Sequence, residues 1–157
     1  MTTHRIVVGV DGSIQSRQAL RWASQLAAAT GDTLRAVTAW EFPATYGWAA
    51  CPADWNPERD AARVLAETVT DALGDRPPVT VEQVVREGNA AKTLIDESRF
   101  ATLVVVGSRG HGGVAGVLLG SVSAKVAEYA SCPALVVHGE TVPEENTSRK
   151  EGLVEAG

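Results

Sequence analysis

Between Gly107 and Gly120 the chain carries six glycines in fourteen residues, and Ser121, Val122 and Ser123 follow directly. Glycine lets backbone N–H groups come close to a ligand, and the first turn of a helix adds donors without acceptors and a partial positive charge. Both favour an anion, phosphate above all. If a helix begins at Gly120-Ser121, the amides of Ser121, Val122 and Ser123 and two serine hydroxyls can converge on anionic oxygens. Ser121 could instead do no more than cap its helix, with the glycines making only a flexible loop.

Two common phosphate motifs can be set against this stretch. A Walker loop needs lysine between its last glycine and the Ser/Thr, and Gly120 is followed at once by Ser121, which disfavours motor-type or GTPase chemistry. Gly110-His111-Gly112-Gly113-Val114-Ala115 fits G-x-G-x-x-A, but that fingerprint belongs on a first strand-to-helix turn and here it falls late in the chain. It is a chance match.

Three side chains near the loop or near the first strand could take part in chemistry. Asp11 could bind a sugar hydroxyl or approach Mg²⁺, and it could equally be the turn residue of an Asp-Gly pair. Arg109 could neutralise phosphate or simply be solvated, and His111 could reach a ligand from among the glycines. His4, His111 and His138 have no spacing that suggests a metal site. Five of the eight aromatics, Trp40, Phe42, Tyr46, Trp48 and Trp55, crowd one segment, either as a loop pinned by its rings or as a lid or partner surface. Cys51 and Cys132 read as unpaired thiols.

Such residues act together only if the fold gathers them. Short apolar runs alternate with helical patterns, the rhythm of a parallel α/β sheet. Strands are predicted at Arg5–Val10, Thr33–Trp40, Val79–Val85, Ala101–Val106 and Ala134–His138, with helices at Ser13–Thr30, Pro57–Leu73, Asn89–Arg99 and Ser121–Ala130. Ser13 and Gly31 punctuate the first helix, Asn56 and Pro57 open the second, and Pro133 stops the last. Ile6–Val8 and Leu103–Val106 are continuously apolar and belong at the centre, whereas Val79-Thr80-Val81-Glu82 alternates and belongs at an edge. Right-handed crossovers then leave an open five-stranded sheet of order 3-2-1-4-5 with helices on both faces, Rossmann-like or flavodoxin-like. Its topological switch point lies between the first and fourth strands, at the foot of the glycine-rich loop.

Composition bounds the rest. The chain has 157 residues, 45% hydrophobic and 21% charged, enough for one domain with a real core. A net charge of −5, with lysines only at Lys92, Lys125 and Lys150, argues against nucleic acid as a partner. No run is long and apolar enough for a membrane span, the first residues show no secretory signal, and two cysteines suit a reducing compartment, so the expected location is the cytoplasm. Residues 1–139 form the expected domain and 140–157 an acidic, disordered tail. The fifth strand would be an apolar edge without a guarding charge, which predicts a homodimer through residues 134–138.

The spacing Gly107-x2-Gly110-x9-Gly120-Ser121 resembles the G-2x-G-9x-G-[ST] signature of the universal stress protein family. Val8-Gly9-Val10-Asp11-Gly12-Ser13 is similar to that family's opening, and Cys132-Pro133-Ala134-Leu135-Val136-Val137 to its close, so the likeness covers about residues 4 to 138. The resemblance implies a dimeric protein that binds ATP, with Mg²⁺ through the phosphates. By matching position, Gly107, Gly110, Gly120, Ser121, Val122 and Ser123 would hold ribose and phosphates, joined by Ser108 and Arg109. Val10, Asp11, and Val37 or Thr38 would line the adenine and ribose side.

Backbone amides and hydroxyls hold ground-state phosphate well, but hydrolysis needs charge placed on the transferring group. No catalytic residue is therefore assigned, and the expectation is a nucleotide-dependent regulatory module in the stress response with slow hydrolysis at most. The alternatives are a phosphoryl- or adenylyl-transfer enzyme using Asp11, Arg109 or His111, or a module preferring cyclic AMP or AMP.

Overall fold

A computed structural model describes residues 4–42, 54–108 and 119–139 of the chain. Five parallel strands, β1 (Arg5–Gly9), β2 (Thr33–Trp40), β3 (Val81–Glu87), β4 (Leu103–Gly107) and β5 (Ala134–Val137), alternate with four helices, α1 (Ile14–Thr30), α2 (Pro57–Leu73), α3 (Ala90–Ser98) and α4 (Ser121–Tyr129). The sheet order is β3-β2-β1-β4-β5, as the strand patterns predict. Central β1 and β4 each bury their three middle residues, while β3 buries none fully.

Strand alternation sends Ile6, Val8, Leu34, Ala36 and Val105 to one face under α1 and α2, with Leu20, Ala23, Leu65 and Val69 packed on them. Val7, Val37, Val104 and Val106 go to the other face, against Leu94 of α3 and Val126 of α4. Ile6, Leu20 and Leu34 are wholly buried, each contributing about 1.5–3 kcal/mol of hydrophobic stabilisation. On the second face Arg35 sits between Glu82 at 2.8 Å and Glu97 at 2.9 Å, tying α3 to the β2–β3 edge.

The caps behave as local chemistry dictates. The hydroxyl of Ser13 accepts the Ser16 N–H, the Asn56 side chain accepts that of Arg59, and Gly31 closes α1 in the left-handed region at φ 77°. Boundaries depart by one or two residues elsewhere, most at β3, which runs from Val81 to Glu87 rather than 79 to 85. Val79 is packed against the core, but pairing with β2 sets the strand, whose register begins at Leu34↔Val81. α4 ends at Tyr129, before Pro133 can act: Ala130 has already turned to an extended ψ of 143°.

Candidate functional site

The carboxyl ends of β1, β2 and β4 meet two connections, Val10–Ser13 and the loop after Gly107, at the point where the strand order reverses. Ser108 anchors the β4 side. Its N–H donates to the Val137 carbonyl at 2.8 Å, and its own carbonyl accepts the Gly120 N–H at 2.7 Å, which fixes the start of α4 beside the end of β4. The Ser123 hydroxyl, 2% exposed, donates toward the Ser108 and Gly120 carbonyls at 3.0 and 3.1 Å. It therefore staples the loop's two ends together and does not point a proton outward, contrary to the expectation of two converging hydroxyls.

Ser121 does not cap α4 either. Gly120 is the N-cap, without a side-chain bond, and Ser121 is the exposed first helical residue. In α1, α2 and α3 a serine or asparagine side chain occupies that post. The first intrahelical donor of α4 is Ala124, to the Gly120 carbonyl at 3.0 Å, so the amides of Ser121, Val122 and Ser123 precede it with no intrahelical acceptor. Gly120 itself has φ −69° and ψ 164°, a conformation any residue adopts, so the backbone does not require glycine there.

On the β1 side Asp11, an exposed residue, accepts the Ser13 N–H at 2.9 Å, the turn role anticipated for an Asp-Gly pair. The Val10 N–H donates to the Val37 carbonyl, and the Thr38 hydroxyl donates to the Val10 carbonyl, both at 2.9 Å. Val37 is only 2% exposed, and its side chain packs in the α3/α4 layer.

The residue the sequence reading passed over is Ala39. Gly9 pairs with Val37, the last β1–β2 match, and β2 runs on to Trp40, about 10 Å further at strand rise. The Val37 carbonyl faces β1 and the Trp40 carbonyl faces β3, where it accepts the Gly88 N–H. Alternation therefore turns the N–H and C=O of Ala39 toward the space above β1, where among the described residues no backbone group pairs with them. A pattern of side chains could not have shown this.

Gly107 has a packing reason for its identity: an added Cβ would lie 2.7 Å from Gln15 Cβ and 3.1 Å from the Gln15 carbonyl carbon. The first turn of α1 rests on the end of β4. Arg109, Gly110 and His111 lie outside the described residues, as does Cys51. Burial pushes the Cys132 thiol above its ordinary value, which makes it a poor nucleophile. Among the described residues no group of three His, Cys, Asp or Glu could hold a metal ion, and no helix is long and apolar enough to cross a membrane.

Residues 2–138 match the model of the universal stress protein family. A universal stress protein of Mycolicibacterium smegmatis is 39% identical over 148 residues, covering 88% of this chain and 49% of its own. Universal stress protein Rv2623 of Mycobacterium tuberculosis is 39% identical over 132 residues, 83% of this chain and 44% of its own. The chain thus spans about half the length of these curated relatives. Among solved structures, a universal stress protein in complex with cAMP is 31% identical with a TM-score of 0.61, covering 88% of this chain and 98% of that one. UspA from Lactobacillus plantarum shares the fold at 21% identity, with a TM-score of 0.66 over 87% of this chain and 99% of its own. A protein from Archaeoglobus fulgidus, solved in complex with dAMP, does so at 19%, with a TM-score of 0.58 over 87% and 99%.

Proposed function

We propose that this chain, which belongs to the universal stress protein family, binds ATP across the switch point and acts as a nucleotide-dependent regulatory module with slow hydrolysis at most. The observation that carries this reading is the start of α4: three amides without intrahelical acceptors, held beside β4 by the Ser108 and Ser123 bonds, under an N-cap that, unlike those of α1, α2 and α3, has no side chain. Phosphates would sit there, with Gly107, Ser108, Arg109 and Gly110 of the loop around them. The base would lie above β1, its edge toward the Ala39 N–H and C=O, with Val10, Asp11, Val37 and Thr38 below. Mg²⁺ would be carried by the phosphates, with the Asp11 carboxylate in the turn that follows β1. Residues 1–139 are the acting domain, and the cytoplasm is its proposed location.

Single-turnover mixing with ATP and Mg²⁺ tests the class. Turnover well under about 1 per second is expected, and a rate of that order abolished by Asp11→Ala would make the protein a phosphoryl-transfer enzyme. A second reading has support of its own, since two similar structures hold cAMP and dAMP. Calorimetric competition among ATP, AMP and cyclic AMP ranks the ligands directly, and ATP is expected to bind tightest.

The proposal includes a homodimer through β5. Val137 turns its carbonyl to β4, so the N–H of Val136 faces away from the sheet, along an edge of four apolar residues. Val136→Pro removes that outward donor while keeping every bond to β4. Sedimentation of the wild-type chain at micromolar concentration should give the mass of a dimer, and that of the variant the mass of a folded monomer.

A further inference from the structure

From the aromatic residues at and just past the end of β2 we infer that Trp40 and Phe42, backed by Trp55, form the stacking wall for the base of the bound nucleotide. The inference rests on the nucleotide reading above. A planar base whose edge bonds the Ala39 N–H and C=O takes the place of the strand that β1 no longer supplies, so it lies near the plane of the sheet with its faces toward the two helical layers. Trp40 follows Ala39 directly, and strand alternation puts its side chain on the face of Leu34 and Ala36, the side of α1 and α2. The ring of Phe42 meets that of Trp40 at 5.3 Å and 79°, and the ring of Trp55, just before α2, at 5.9 Å and 82°.

These edge-to-face contacts make one aromatic surface running from the end of β2 to the start of α2. It is not core. Phe42 keeps 51% of its surface exposed, Trp40 and Trp55 are half-buried, and the buried residues of α2 all fall in its second half, from Leu65 onward. A cluster that only pinned a loop would spend its rings on the hydrophobic layer beneath, and none of the three is among that layer's members. Every base has a π-face that such rings can cover, while the adjacent Ala39 groups read the edge, so the two together select a base by shape and by hydrogen bonding.

Calorimetry on the full chain tests this with two ligands, ATP and inorganic triphosphate, which lacks a base. Phe42→Ala and Trp40→Leu should each weaken ATP by about tenfold or more while leaving triphosphate affinity unchanged, and Trp40→Phe should keep most of the ATP affinity. Equal ATP binding in wild type and variants would overturn the stacking wall while leaving the phosphate site standing. Parallel loss of ATP and triphosphate would overturn it too, by giving the rings a merely structural role. Failure of the wild-type chain to bind ATP at all would sink the nucleotide reading on which the wall depends. If a variant does not fold, tryptophan emission of the unsubstituted chain decides: quenching by ATP but not by triphosphate is expected, and its absence refutes the inference.

Discussion

Gly120→Asp is expected to leave the fold at least as stable as before while weakening ATP binding by a hundredfold or more. The two halves of that result have separate causes. Gly120 already has the extended backbone of an N-cap, so aspartate enters without strain, and its carboxylate can accept the amide of Val122 or Ser123 as Ser13 accepts that of Ser16 in α1. Capping and the favourable dipole add a few tenths of a kcal/mol up to about 1 kcal/mol. The same carboxylate then occupies the amides proposed to hold phosphate and sets a negative charge against it. Losing charge-assisted bonds worth about 1.5–3 kcal/mol each, and adding repulsion, exceeds the 2.7 kcal/mol that a hundredfold change represents. Gly120→Ser separates cap from charge: it should stabilise similarly and cost less affinity. Gly120→Val crowds the phosphates without capping, and should weaken ATP with a small loss of stability. Calorimetric titration and thermal melts measure both quantities, and unchanged ATP affinity in Gly120→Asp would remove the start of α4 from the site.

The features legible in the sequence are those decided by neighbours in the chain. Ser13, Gly31, Asn56 and Pro57 act within one helical turn, so residue type and position suffice to place them. Sheet order was legible for a related reason. A strand buried on both faces, such as Val7-Val8 or Val104–Val106, shows its burial in composition, and right-handed crossovers do the rest. What stayed hidden depends on partners far away in sequence. Ser123 looked like a free hydroxyl because its acceptor, the Ser108 carbonyl, lies across the glycine loop. Ala39 carries no chemical side chain, and its interest comes only from β1 stopping at Gly9 while β2 continues. The Arg35–Glu97 pair joins a strand to a helix three elements later, and neither residue stood out among the chain's scattered charges. β3 was placed two residues early because Val79 looks like a strand residue, while the ladder with β2 starts at Val81.

Gly107 and Gly9 offer a matched pair in which identical nearest distances should give unequal costs. An alanine Cβ at either position would stand 2.7 Å from its nearest neighbour. At Gly9 that neighbour is Leu94 Cδ1, the far end of a side chain, with the next atoms at 3.4 and 3.5 Å. A rotamer change relieves it, at a cost of about 1 kcal/mol. At Gly107 the neighbour is Gln15 Cβ, backed by the Gln15 carbonyl carbon and oxygen at 3.1 and 3.2 Å. No rotamer moves a backbone, so α1 must lift its first turn from β4, and Gly107→Ala should cost about 3 kcal/mol, the upper part of the usual range for overpacking. Denaturant midpoints at unchanged slope measure both variants, and equal losses would refute the packing account of Gly107. The consequence reaches the site, because Ser13 and the Asp11 turn ride on that same first turn. ATP affinity should therefore fall in Gly107→Ala and hold in Gly9→Ala, so that the first glycine of the G-2x-G-9x-G-[ST] spacing serves the nucleotide by letting a helix close against the sheet.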